Sequence, residues 1–155
     1  MSNASIQAQL LAAVNAKLQT HLTDSDVEFG VPEFTGATPN SQVRVTPSPT
    51  CTETFDTVIK YDRVDLADVA TRIFAPMYFD KSLYTPPLML HDILDHIATL
   101  TGVTLSTDDV VNVELTSSYP GNVLVETAVN LVASDSSFYV FGTGRMPYVF
   151  DYGSI

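Results

Sequence analysis

Seven acidic residues sit where a carboxyl group could do chemistry. Asp62, Asp65 and Asp68 fall within seven residues, Asp108 and Asp109 are in tandem, and Glu114 and Glu126 follow. Two carboxyls facing one cleft at about 5–10 Å would make a glycosidase-type pair, with one pKa raised by burial. That geometry is set in three dimensions, so spacing along the chain leaves it open; the ordinary reading is helix caps and solvated faces. A calcium loop would alternate acids around a sharp-turn glycine and end on a bidentate Glu, and no such pattern follows Asp62. His91 and His96 are five residues apart, which turns their rings about 140° from each other on a helix; a helical zinc pair wants i, i+4. No metal and no cofactor is expected. The stretch GTGR at 142–145 resembles a phosphate loop in its first residues only. It lacks the further glycine, the lysine and the following helix, and reads as a turn between a strand and the tail. Cys51, the single cysteine, lies between Thr50 and Thr52 with no base motif near it. It reads as a small packing residue.

The elements that must position these groups follow from the hydrophobic pattern. Ile6, Leu10, Leu11, Val14, Leu18 and Leu22 recur at helical spacing, with Asn3 or Ser5 as the capping residue. Residues 27–54 contain Pro32, Pro39, Pro47 and Pro49. Proline removes a ladder donor, so an extended arm is expected there, with one short strand at Val43 and Val45. Phe55, Thr57, Ile59 and Tyr61 then alternate with Asp56, Val58 and Lys60, as in a half-buried strand. A short helix is expected over 65–74, with Asp65 and Asp68 in its first turn complementing the helix dipole. Thr85-Pro86-Pro87 reads as a helix start. That helix buries Leu90, Ile93, Leu94, Ile97 and Leu100, and Gly102 stops it. Strands are expected at 111–115, 123–131 and 138–141, separated by turns at 119–122 and 134–137.

The layout is β-α-α-β-β-β, an α+β fold. It is read as an antiparallel β-meander packed against one or two helices, with an N-terminal amphipathic helix on a Pro-rich arm. The expected divisions are 1–26 helix, 27–54 arm, 55–145 core domain and 146–155 aromatic tail. A lone helix of this length is marginal in water, so its stripe must be covered. Ile6, Leu10, Leu11, Val14 and Leu18 are expected to contact another chain across the arm. Met146, Tyr148, Phe150 and Tyr152 leave two readings of the tail open: folded back over the core, or docked into a neighbour as a second candidate interface.

Composition narrows the function classes. Hydrophobic residues make up 45% of the 155-residue chain, enough for a real core. The formal net charge of −11 repels phosphate backbones and anionic membrane surfaces, so neither nucleic acid nor membrane is an expected partner. No apolar run approaches the ~20 residues that span a bilayer. The N-terminus lacks the basic region of a secretory signal.

The stretches YDRVDLADV (61–69) and TGVTLSTDDVVN (101–112), with Leu90, Ile93, Leu94, His96 and Ile97 between them, resemble a small domain of virion structural proteins from large tailed bacteriophages. In that domain an aromatic-polar-Arg-Ile/Val-Asp-Leu strand end precedes a short helix. A second helix ends in a glycine before an L-x-x-x-D-(I/V)-V pattern, and a Gly-rich hairpin closes the unit. Arg63, Val64, Asp65 and Leu66 match the first block; Gly102, Leu105, Asp109 and Val110 the second; Phe141, Gly142 and Gly144 the last. The match covers residues 55–145. The resemblance implies a non-enzymatic structural protein located in the virion. Its partners would be other virion proteins and copies of itself, and tail, baseplate or neck is favoured over head decoration. It also implies that the switch at Asp62 to Leu66 is an architectural corner, with Arg63 paired to nearby acids and Asp65 capping the helix. The alternative is a small phage-associated hydrolase using a pair among Asp62, Asp65, Asp108, Asp109, Glu114 and Glu126. A metal- or sugar-binding module is a third class.

Overall fold

A computed structural model describes residues 1–80, 87–115 and 124–151, with the side chains of 124–126 set aside. The fold is α+β. Helix α1 (Asn3–Leu18) is capped by Ser2, whose hydroxyl accepts from the Ser5 amide, one or more residues earlier than the expected Asn3 or Ser5. Gln19 ends it in the left-handed region with φ 54°. The Asn15 side chain then clamps the exit loop: its oxygen accepts from the Leu22 amide at 2.8 Å, and its nitrogen donates to the Leu22 carbonyl at 2.9 Å. This turn carries Leu22 back into the core.

Residues 27–54 form a sheet and not an arm. Strands β1 (Val27–Phe29) and β2 (Glu33–Phe34) both pair antiparallel with β3 (Ser41–Pro47). The other side of β3 pairs with β4 (Thr57–Tyr61) through five residue pairs, Val45↔Thr57 to Ser41↔Tyr61. The prolines permit this because they avoid strand interiors: Pro32 precedes β2, Pro39 precedes β3, Pro47 ends β3 and Pro49 lies beyond it. Val43, Val45 and Ile59 face inward, and α1 covers them with Ile6, Leu10 and Val14. Leu11 and Leu18 are half-buried against the same cluster. The expectation that this stripe reaches another chain across an extended arm is corrected: the stripe is covered by its own sheet, and no arm is present to extend.

The second half builds another core. Strand β5 (Val64–Asp65) runs into α2 (Leu66–Thr71), shorter than the expected 65–74. Asp65 does cap it, accepting from the Ala67 amide at 2.9 Å. Strand β6 (Met77–Asp80) follows. A 3-10 turn at Leu90–Ile93 leads into α3 (Leu94–Thr101), which Gly102 closes at φ 73°. The expected helix start at Thr85-Pro86 and the turn at 119–122 lie outside the described residues. The expected strand at 111–115 is not a strand. Val110 makes an isolated bridge to Ala133, and Glu114 another to Met89.

Strand β7 (Leu124–Val132) pairs antiparallel with β9 (Thr143–Asp151) along nine residues. Two pairings depart from an antiparallel meander: β6 joins β9 in parallel, and the two-residue β8 (Val140–Phe141) joins β5 in parallel. Parallel neighbours need long crossovers, which α2, α3 and their connections supply. Of the two readings of the aromatic tail, packing on the chain's own core is the one present, and the interface reading is corrected. Met146, Tyr148 and Phe150 belong to β9 and are buried in the second core, while Tyr152 lies outside the described residues. β9 runs through Pro147, which stands opposite Ala128 of β7 and one residue before the pairing with β6 begins at Tyr148. The divisions at 26, 54 and 145 therefore do not separate structural units. Tyr139 packs against both cores.

Candidate functional site

The corner between β4 and β5 is where chemistry-bearing side chains converge. Arg63 is only 8% exposed, and a buried guanidinium must be met by acceptors. The acceptors are not acids, as expected from the sequence, but a hydroxyl and two carbonyls. Nε donates to Ser41 Oγ at 2.6 Å; Nη1 donates to the carbonyls of Ser137 and Val140, both at 3.2 Å. Asn40 locks the same corner from the other side. Its Oδ1 accepts from the Arg63 amide at 2.8 Å, and its Nδ2 donates to the Arg63 carbonyl at 2.9 Å. Asp62 accepts from the Asn40 amide at 2.9 Å. Burial draws the Arg63 guanidinium below its ordinary pKa, though an arginine stays charged at neutral pH. The guanidinium carbon lies 5.5 Å from the centre of the Phe141 ring, and Phe34 stacks on that ring with centroids 4.8 Å apart.

Ser137 continues the chain of contacts. Its hydroxyl donates to Asp109 Oδ1 at 3.0 Å, while the amides of Tyr139 and Val140 approach its oxygen at 3.2 and 3.1 Å. Asp109 is fully buried. Its other oxygen accepts from the Ser106 amide and hydroxyl at 2.8 and 3.1 Å. Arg63 and Asp109 thus meet through Ser137 and not directly.

The remaining candidates are scattered. Asp108 and Glu114 are exposed and Asp68 sits exposed in the first turn of α2, while the Glu126 side chain lies outside the described set. His91 faces the Val110 carbonyl at 2.8 Å from Nε2, and its backbone amide donates to Asn112 Oδ1. The His96 ring meets the Phe79 ring edge-on at 5.3 Å. Among the described residues, no three His, Cys, Asp or Glu side chains gather as a metal group would require. Cys51 is half-buried against the first core.

Two concavities adjoin these features. One, of about 320 Å³, lies beside the junction and is lined by Arg63, Phe141, Gly142 and Thr143 with the 132–135 segment. The other, of about 460 Å³, is bordered by Phe74, Tyr78, His96 and Leu100. Phe74 is 96% exposed there, and the Tyr78 hydroxyl bonds the Asp151 carboxylate. Further pockets lie beside α1 at Ala4 and Leu11, and beside β3 at Gly30 and Arg44. None of these four is lined by two of the candidate acids Asp62, Asp65, Asp108, Asp109 and Glu114.

Ser41, Asn40, Ser137 and Phe34 are the junction residues that sequence reasoning missed. Each is an ordinary polar or aromatic residue in a turn-rich stretch, and only the pairing of β3 with β4 brings the first two to Arg63. The fold and this junction define an α+β domain in which a buried cation ties two cores together. Residues 2–149 match a family of unknown function (DUF7941), and the chain belongs to that family. No curated protein and no solved structure matches it. Among the described residues, no helix is long and apolar enough to cross a membrane.

Proposed function

We propose that this protein is a non-enzymatic structural component of a bacteriophage virion, assembling with neighbouring virion proteins and with copies of itself. The supporting observation is what the motif residues behind the phage-domain resemblance do here. Arg63 and Asp109 are buried in internal hydrogen bonds, Asp65 caps α2, and Gly144 lets α2 approach β9. They are joints of the fold, and none of the acids among them shares a concavity with another candidate carboxylate. The separate surroundings of the acidic residues support this reading over a hydrolase with a carboxylate pair. The assembly surface in this proposal is the one around Phe74, Tyr78 and Leu100, which leaves aromatic and aliphatic side chains in solvent; contiguous exposure of that kind marks contact surfaces. Tail, baseplate or neck is the favoured location.

Immunogold electron microscopy of phage particles from a host infected by a phage encoding this chain tests the proposal. Gold at a repeated position on intact particles supports it. Gold confined to cell debris, with unlabelled particles, contradicts it.

A further inference from the structure

The guanidinium of Arg63 has one nitrogen left over. Nε and Nη1 are committed to Ser41, Ser137 and Val140, whereas no protein group among the described residues accepts from Nη2. Yet no buried side-chain nitrogen or oxygen lacks a partner among the described residues. Nη2 therefore reaches open space, and the space that Arg63 lines is the 320 Å³ pocket beside Phe141. A cation more than nine-tenths buried and held by three bonds thus keeps one nitrogen without a protein acceptor, beside a small concavity that Arg63 lines. That volume is at the lower end of what small-molecule sites occupy.

We propose that this pocket is a carboxylate-binding site, with Nη2 of Arg63 as its anchor. The chemistry of the lining selects the anion. Only one guanidinium nitrogen is offered, and Asp135 stands on the same wall. A doubly charged phosphate would meet too little positive charge, the more so in a chain with a net charge of −11. A singly charged carboxylate needs one strong donor and is repelled by Asp135 less than a doubly charged phosphate would be. Pro32, Val132 and Phe141 supply an apolar wall for a short hydrocarbon body, and Ser134 and Thr143 line the rest. The carboxylate belongs either to a free small acid or to an Asp or Glu side chain of a neighbouring protein. The inference goes beyond the virion reading and stands without it.

Backbone-amide NMR titration of the folded protein tests it, with sodium butyrate, N-acetyl-glutamate amide, sodium phosphate and sodium chloride at matched ionic strength. Butyrate should give saturable shifts centred on Phe141, Gly142 and Thr143, beyond those of chloride or phosphate. Asp135→Asn, which removes a like charge at an exposed position, should tighten binding roughly two- to fivefold. Val132→Phe, at a partly exposed position, should fill the pocket and abolish saturation. Arg63→Met should abolish it too, but if that variant fails to fold, the other two carry the test. N-acetyl-glutamate amide saturating alongside butyrate supports a partner's side chain as the source; butyrate saturating alone supports a free acid. Absence of saturation with either carboxylate, indifference to both Asp135→Asn and Val132→Phe, or tighter binding of phosphate would each overturn the proposal.

Discussion

At Gly144 a side chain has no room. A Cβ there would lie 2.2 Å from the Leu66 carbonyl oxygen and 2.8 Å from the Ala70 Cβ. The first is backbone at the start of α2, which cannot yield without moving the helix off β9. Gly144→Ala should therefore lower stability by about 3 kcal/mol or more, read as a reduced urea midpoint with an unchanged slope. Gly142 is constrained differently, by φ 82° and by the Asp65 carboxylate 3.0 Å from where its Cβ would be. Tyr61 offers a pH test of the corner. Its hydroxyl donates to the Phe138 carbonyl at 3.0 Å, and burial pushes its pKa up to about 12, opposed by nearby Arg63. The phenol is neutral when protonated, and its folded value lies above the unfolded value of 10.0. Its contribution is thus complete below pH 10 and is lost as pH rises through about 12. Stability measured over this window should fall less steeply for Tyr61→Phe than for the parent. An equal slope in both proteins would show that Tyr61 does not titrate late.

At the scale of elements, local patterns were legible and long-range pairings were not. The stripe of α1, the alternation of β4, the Asp65 cap and the Gly102 stop each follow from a few neighbouring residues, and each is present. The sheet made by residues 27–47 was hidden because four prolines in one stretch read as an arm, although each falls outside a strand interior. The parallel pairing of β6 with β9 joins residues about seventy positions apart, and no local signal encodes it. Arg63 was visible as a motif residue. Its acceptors were not, because a carbonyl at 137 or 140 has no sequence signature. The position of α1 yields a direct expectation. Leu10 is buried among Val27, Val43, Val45 and Ile59, so Leu10→Ala should cost about 2–5 kcal/mol. Removing residues 1–22 should expose the inner face of the β1–β4 sheet and abolish cooperative unfolding in calorimetry. A truncated chain that unfolds as sharply as the parent would mean that α1 contributes nothing to the core.

For the whole molecule, two hydrophobic cores share one chain, and polar contacts run between them from Asn40 through Arg63 and Ser137 to Asp109. Such a joint fixes how the halves sit, since each buried polar group keeps its partners only in one arrangement. An acidic unit with apolar side chains exposed around Phe74, Tyr78 and Leu100 suits repeated assembly, where the same surface is used in every copy. The proposed virion role is a claim about where the protein resides and in what amount. Quantitative mass spectrometry of density-purified phage particles measures both. A virion component should be present at a fixed ratio to the other structural proteins, unchanged by further purification. Its loss from particles as purification proceeds, or its absence from them, would contradict the account.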